Sequence, residues 1–186
     1  MSTSIDPESL ANRLGTANHP PVQAWQPSIK GEMALRITKE GEWLYQDSPI
    51  QRPALVRLLA SVLRLDSDAE YYLVTPTEKL RIVVDDVPFL AVEVEQTHTD
   101  SHQSLIFRTN VNDIIAADAD HELWVAGGSE ATGPRPYIHV RAGLNARVTR
   151  PVFYALADFA CQHQIDGQEF LGVFSGGAFF PLENTE

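Results

Sequence analysis

Arg52-Pro53-Ala54-Leu55-Val56 opens an apolar run that closes at Leu65-Asp66 and is followed by Glu70-Tyr71; Arg150-Pro151-Val152-Phe153-Tyr154 opens another, which closes at Ile165-Asp166 and is followed by Glu169-Phe170. Proline suits the first turn of a helix, where its missing N–H is not needed. After Pro53, the residues Leu55, Leu58, Leu59, Val62 and Leu63 recur at helical spacing, with Arg57, Ser61 and Arg64 opposite. That is the pattern of a helix with one face in a core. After Pro151, the residues Phe153, Leu156, Ala157, Ala160 and Cys161 fall on one face in the same way. Two helices with the same opening and the same exit predict a chain built from two copies of one unit.

The flanks carry the pattern of strands. Met33, Leu35 and Ile37 alternate with polar or small neighbours, Glu40-Gly41 turns the chain, and Trp43 and Tyr45 lead back. Such period-two alternation predicts half-buried strands. Residues 71–74 and 80–84 read as strands about the Pro76-Thr77 turn. In the second copy Tyr137-Ile138-His139-Val140 and residues 144–148 flank Gly143, and residues 170–180 form a hairpin closed by Gly176-Gly177. Between the copies Leu90, Val92 and Val94 alternate, residues 96–102 form a polar loop, and residues 105–108 return as a strand. Residues 112–126 admit a short helix capped by Asn112, or strands in which Ile114-Ile115 pairs with Leu123-Trp124-Val125; strands are favoured. The expectation is an α+β fold of two repeated strand-strand-helix-strand-strand units linked by a β-meander, with a short N-terminal helical arm. The arm spans residues 1–28, the first unit 29–98 and the second 99–186. Within the arm, Asp6-Pro7-Glu8 starts a helix that Gly15 can stop, and Trp25 docks the Pro-rich remainder on the body.

A run of motifs across this scaffold resembles a bacterial family catalogued as Domain of Unknown Function 1285. The motifs are Trp25-Gln26-Pro27, Gly41-Glu42-Trp43-Leu44-Tyr45, Ser48-Pro49-Ile50-Gln51-Arg52, and Tyr72-Leu73-Val74-Thr75-Pro76-Thr77-Glu78-Lys79. They continue with Asp86-Val87-Pro88-Phe89, Phe107-Arg108-Thr109-Asn110 and Tyr137-Ile138-His139-Val140-Arg141-Ala142-Gly143-Leu144-Asn145-Ala146. The resemblance implies an α+β fold with repeated motifs, no established enzymatic activity, and a regulatory or signalling role.

Composition narrows the function. The 186 residues carry a net charge of -11, with a pI of about 4.9. Non-specific nucleic-acid binding needs a basic footprint and anionic membranes need basic segments, so neither partner is expected. The single cysteine, Cys161, allows no intrachain disulfide, the start of the chain does not read as a secretory signal, and no apolar run is long enough to span a membrane. A cytoplasmic protein is expected.

Several clusters invite chemistry. His98-Thr99-Asp100-Ser101-His102 could turn two imidazoles and a carboxylate toward a metal, but two-residue spacing on a polar loop fixes little geometry. Asp118, Asp120 and His121 read as a turn, and lack the glycine and terminal glutamate of a calcium loop. Ser175, in Val173-Phe174-Ser175-Gly176-Gly177, misses the nucleophile-elbow spacing, and Asp85-Asp86 point to opposite faces unless a turn converges them. No catalytic residue, metal or cofactor is assigned. Thr75, Glu78, Lys79, Arg108, Asn110 and Arg141 lie in the family-like motifs beside apolar strands, where they could line one cleft with Arg108 or Arg141 receiving an anion. The chain is therefore expected to be a cytoplasmic binding or regulatory protein whose partner is a protein or a small anionic ligand. The alternative is a small acid/base hydrolase or lyase using Asp, Glu and His of the central meander. The Phe-rich C-terminal hairpin, apolar on both faces, is expected to contribute to a homodimer interface.

Overall fold

The computed structural model describes residues 7, 20–99, 102–127 and 133–184. The helix expected from Asp6-Pro7-Glu8 lies outside the described residues, Pro7 excepted. The chain forms two compact units, dividing between Pro88 and Phe89.

In the first unit a six-stranded sheet is built from β1 (Ile29–Ile37), β2 (Trp43–Tyr45), β3 (Ser48–Pro49), β4 (Leu63–Leu65), β5 (Tyr71–Val74) and β6 (Glu78–Val84), in the order β3-β2-β1-β6-β5-β4. The first and last strands, β1 and β6, lie side by side and parallel at its centre, from Ile29↔Glu78 to Ile37↔Val84. Met33, Leu35 and Ile37 of β1 turn to one face, with Leu80 and Ile82 of β6 beside them, all buried. Helix α1 (Pro53–Ser61) carries Pro53 at its first position and buries Leu55, Leu59 and Ala60. Nine residues are too few for a helix to persist alone in water, so burial of Leu55 and Leu59 holds it.

In the second unit β7 (Phe89–Thr99), β8 (His102–Thr109), β9 (Ile114–Ala116), β10 (Leu123–Ala126), β11 (Arg135–Arg141) and β12 (Leu144–Val148) form a sheet in the order β10-β11-β12-β7-β8-β9. Again the first and last strands, β7 and β12, are the parallel central pair, from Phe89↔Ala146 to Ala91↔Val148. Helix α2 (Arg150–Ala157) follows β12 and packs on β7. A three-stranded antiparallel sheet, β13 (Cys161–Ile165), β14 (Gln168–Ser175) and β15 (Ala178–Asn184), completes the unit, with β14 against β8 and β15 beside β10. Phe89, Leu105, Phe107, Leu123, Ile138, Leu144 and Leu156 are buried at its core.

Ser175 fastens the two sheets together. Its Oγ accepts a hydrogen bond from the N–H of Leu105 (2.8 Å) and donates one to the carbonyl of Ala117 (2.6 Å). Gln103 Nε2 donates to the Phe174 carbonyl (2.9 Å), and the Gly176 N–H donates to the Gln103 carbonyl (3.0 Å). Gly176 has φ +57°, and a Cβ there would lie 2.9 Å from Cβ of Asp118. A side chain at this turn would therefore meet both strain and collision.

The expected fold class is corrected. Among the described residues fifteen strands accompany two α-helices, so the protein is mainly β rather than α+β. Strand-strand-helix-strand-strand units are absent, because the two helices occupy different places. Helix α1 lies between the third and fourth strands of its sheet, whereas α2 follows the sixth of its own. The run after Pro53 is also helical only to Ser61, and Val62 caps it before Leu63–Leu65 continues as a strand. A short apolar run fits a buried strand as well as a helix, and periodicity alone does not separate them. The run after Pro151 ends at Ala157, and Cys161 stands exposed on β13. The inward residues of α2 are Val152 and Leu156, one turn apart, while Ala157 is exposed and Phe153 and Ala160 are half-buried. Residues 96–99, expected in a loop, are the end of β7. β9 and β10 are strands as favoured, but they lie at opposite edges of the sheet and pair with β8 and β11 rather than with each other.

Candidate functional site

The six expected ligand-binding residues fall in two groups, one in each unit. In the first, Thr75 closes the turn between β5 and β6: its buried Oγ1 accepts from the N–H of Glu78 (2.9 Å). Glu78 is buried at the start of β6. Lys79 pairs with Asp66, and its Nζ stands 3.8 Å from the centre of the Tyr72 ring. Arg64, expected on the exposed face of a helix, is instead buried on β4. Its Nε donates to Asp66 Oδ1 (2.5 Å) and its Nη1 to the carbonyls of Val22 (2.9 Å) and Trp25 (3.0 Å). The arm is thus held by a guanidinium and by buried Val22, with Trp25 half-buried. Burial penalises the Asp66 carboxylate, but its hydrogen bonds with Arg64 and Lys79 and their charges outweigh that, and hold it below the usual aspartate range.

In the second unit Arg108 pairs with Glu93 across β7 and β8. Asn110 Oδ1 accepts from the N–H of Leu90 (3.0 Å), and Arg141 pairs with Asp113 while its guanidinium lies 5.1 Å from the centre of the Phe89 ring. Arg108 and Arg141, the expected anion receivers, and Lys79 therefore each have a carboxylate partner. Arg36 likewise grips Asp85 with two donors (2.8 and 3.0 Å). His98 and His102 stand on neighbouring strands, while Asp100 and Ser101 lie outside the described residues. Among the described residues no group of three His, Cys, Asp or Glu side chains is placed to hold a metal.

A groove of about 510 Å³ runs in the second unit between β10 and β15. Leu123, Trp124 and Val125 form one wall, and Phe170, Phe179, Phe180 and Leu182 the other. Trp124 is fixed by stacking on Tyr137, ring centres 5.7 Å apart. The wall of β15 is shaped by Gly172, where a Cβ would strike the carbonyl of Phe180 and the ring of Phe179, so a bare backbone lets that ring lie down. Both β10 and β15 are edge strands, each paired on one side among the described residues. Among the described residues the charged side chains at the rim are Asp118, Glu122 and Glu183. Burial pushes the Asp118 carboxyl up, but the N–H of His121, the His121 ring and the N–H of Asp120 pull it further down, so its pKa lies below the ordinary value. It is therefore ionised at neutral pH. A second, narrower pocket of about 240 Å³ shares Leu182 and Glu183, and is lined otherwise by Phe153, Tyr154, Ala157, Ala160, Leu171 and Pro134. Of the helix face expected in the core, Phe153, Ala157 and Ala160 line this pocket, while Leu156 is buried. Sequence reading missed the groove because its two walls lie far apart in the chain. The available signals were the mixed Trp124 strand and the two-faced apolar hairpin.

Residues 20–87 match the N-terminal domain of the DUF1285 proteins, a domain of unknown function, and residues 88–182 match their C-terminal domain. The chain belongs to the DUF1285 family. The boundary between the two domains falls within one residue of the division between the compact units. A crystal structure of a DUF1285 protein from Silicibacter pomeroyi DSS-3 is 38% identical, with a TM-score of 0.88 over 98% of this chain and 97% of that one. A DUF1285 protein from Shewanella baltica OS155 is 25% identical, with a TM-score of 0.53 over 68% of this chain and 91% of that one. No curated protein matches. The family is one of unknown function, so it adds no chemistry to the groove.

Proposed function

We propose that this DUF1285 protein is a non-enzymatic binding module that regulates a protein partner by holding a segment of it in the groove between β10 and β15. The observation that carries this reading is the groove itself, apolar along both walls and acidic at the rim. Such a site favours an extended segment with apolar side chains flanked by Lys or Arg, by electrostatic complementarity at the rim. A small anionic ligand is disfavoured, because Asp118, Glu122 and Glu183 would repel it and Lys79, Arg108 and Arg141 are already paired. The cytoplasm suits the module, since Cys161 is a free, exposed thiol. Among the described residues no helix is long and apolar enough to cross a membrane.

One contact favours the hydrolase or lyase alternative: Asp118 Oδ1 lies 3.1 Å from Nδ1 of His121 at the groove's lip. That oxygen already accepts from the N–H groups of Asp120 (2.9 Å) and His121 (2.8 Å), the bonding of a turn, and among the described residues no Ser, Thr or Cys lines the groove. The test is an NMR titration that follows the Trp124 indole N–H. A synthetic peptide alternating Lys with Leu and Phe should shift that signal. Its Glu counterpart should not, and salt or Glu183→Lys should weaken the effect. A Trp124 signal unmoved by the Lys peptide, at any concentration it dissolves to, would remove the groove as a peptide site.

A further inference from the structure

Every sheet in this protein has two edges, and among the described residues five of the six edge strands are protected. β3 is two residues long and includes Pro49. β4 carries Arg64, which binds the carbonyls of the arm beside it. β9 is three residues long, β10 is four and lies beside β15, and β15 itself contains Pro181 and Glu183. Short length, proline, charge and cover are the usual means by which proteins keep sheet edges from pairing with other chains. β13 has none of them. Its five residues, Cys161-Gln162-His163-Gln164-Ile165, include no charge and no proline, and all five are exposed. Among the described residues β13 pairs with β14 alone, so alternate N–H and C=O groups along it point away from the sheet.

We propose that β13 pairs antiparallel with β13 of a second copy of this chain, making one six-stranded sheet across a twofold axis. Antiparallel pairing of a strand with its own copy is the isologous contact that closes a dimer. Using all five residues places the axis at His163, with Cys161 facing Ile165 of the second copy. β13 itself carries no carboxylate, so pairing it with its copy sets no acids face to face in a chain of net charge -11. The pairing also brings together two apolar patches. On each copy the His163 ring rests against Phe174 (centres 5.1 Å apart) and Phe179 (4.7 Å), with Phe174 38% and Ile165 36% exposed. A twofold axis normal to the sheet sets the two patches side by side on one face.

Sedimentation velocity of the full chain at rising concentration tests this, with His163→Lys and His163→Glu as variants. On the axis each substitution sets like charges directly opposite, which destabilises a strand pair. The wild type should sediment as a dimer and each variant as a monomer, and mixing the two variants should restore the dimer. Restoration on mixing cannot come from a misfolded variant. A second variant reads the register: Ile165→Cys should form an intermolecular disulfide with Cys161 under mild oxidation, since facing residues in a strand pair lie within disulfide reach, while the wild type should not cross-link. A wild type that stays monomeric at high micromolar concentration overturns the proposal. So does a His163→Lys protein that remains dimeric, because the interface is then elsewhere.

Discussion

Replacing Ser175 by alanine removes one oxygen atom and, with it, two of the hydrogen bonds that tie two sheets together. That hydroxyl is fully buried, accepts from the N–H of Leu105 at 2.8 Å and donates to the carbonyl of Ala117 at 2.6 Å. Alanine fills nearly the same volume, so the change is one of hydrogen bonding and not of packing. Each backbone group left buried without its partner costs about 1–3 kcal/mol, and the pair therefore about 2–6 kcal/mol, a factor of roughly 30 or more in the folded-to-unfolded ratio. Urea unfolding should show a lower midpoint at unchanged slope, since the surface exposed on unfolding is the same. Amide exchange gives the local reading: the Leu105 N–H should exchange faster in Ser175→Ala, while amides of β1 and β6 should be unchanged. A cost below about 0.5 kcal/mol, with Leu105 as protected as before, would refute the view that this hydroxyl joins the sheets.

Leu59, with no exposed surface on α1, should cost about 2–5 kcal/mol when cut to alanine, measured by urea unfolding. Arg64→Ala should release the arm, raising the solvent quenching of Trp25 fluorescence and costing about 1–3 kcal/mol as the carbonyls of Val22 and Trp25 lose their donor. Arg64→Lys should restore little, because an ammonium cannot reproduce the planar fork. The depressed pKa of Asp66 makes the first unit acid-sensitive. Its stabilisation is complete above the ordinary aspartate value of 3.8 and is lost as pH falls through the lower folded value. Asp66→Asn should therefore flatten the pH dependence of the urea midpoint in that acid window, and an unchanged slope there would count against the Arg64–Asp66–Lys79 assembly.

The legible parts of the fold were those written in local chemistry. Pro53 announced α1, Glu40-Gly41 turned β1 into β2, and Gly176-Gly177 closed the β14–β15 hairpin, each because a few adjacent residues set the backbone. What failed depended on partners distant in sequence. Leu63-Arg64-Leu65 reads as the last turn of an amphipathic helix until Tyr71, Tyr72 and Leu73 are present to pair with it. Arg64 reads as a solvated charge until the carbonyls of Val22 and Trp25 arrive. The resemblance between the Arg-Pro openings was real as a local signal for helix starts, and carried no information about where each helix sits among the strands. Of the candidate site, Trp124 and the Phe-rich hairpin were visible, but their meeting in one groove was not, because tertiary packing decides it. The expected cations were visible too, whereas the carboxylates that occupy them come from other strands.

In each six-stranded sheet the strand made first and the strand made last are neighbours at the centre. During synthesis, therefore, the middle of the sheet stays open until its final strand has left the ribosome. β1 waits for β6 and β7 waits for β12, each held off by the entropy of closing a loop that contains the whole intervening chain. A nascent chain halted before Glu78 would hold a meander and a hairpin with no central seam. It would expose the faces of Leu35 and Ile37 to chaperones and proteases rather than a nearly finished sheet. Removing the last strand of either six-stranded sheet, β6 or β12, should accordingly abolish folding of its unit in one step. Losing the final strand takes away a keystone, not a fringe.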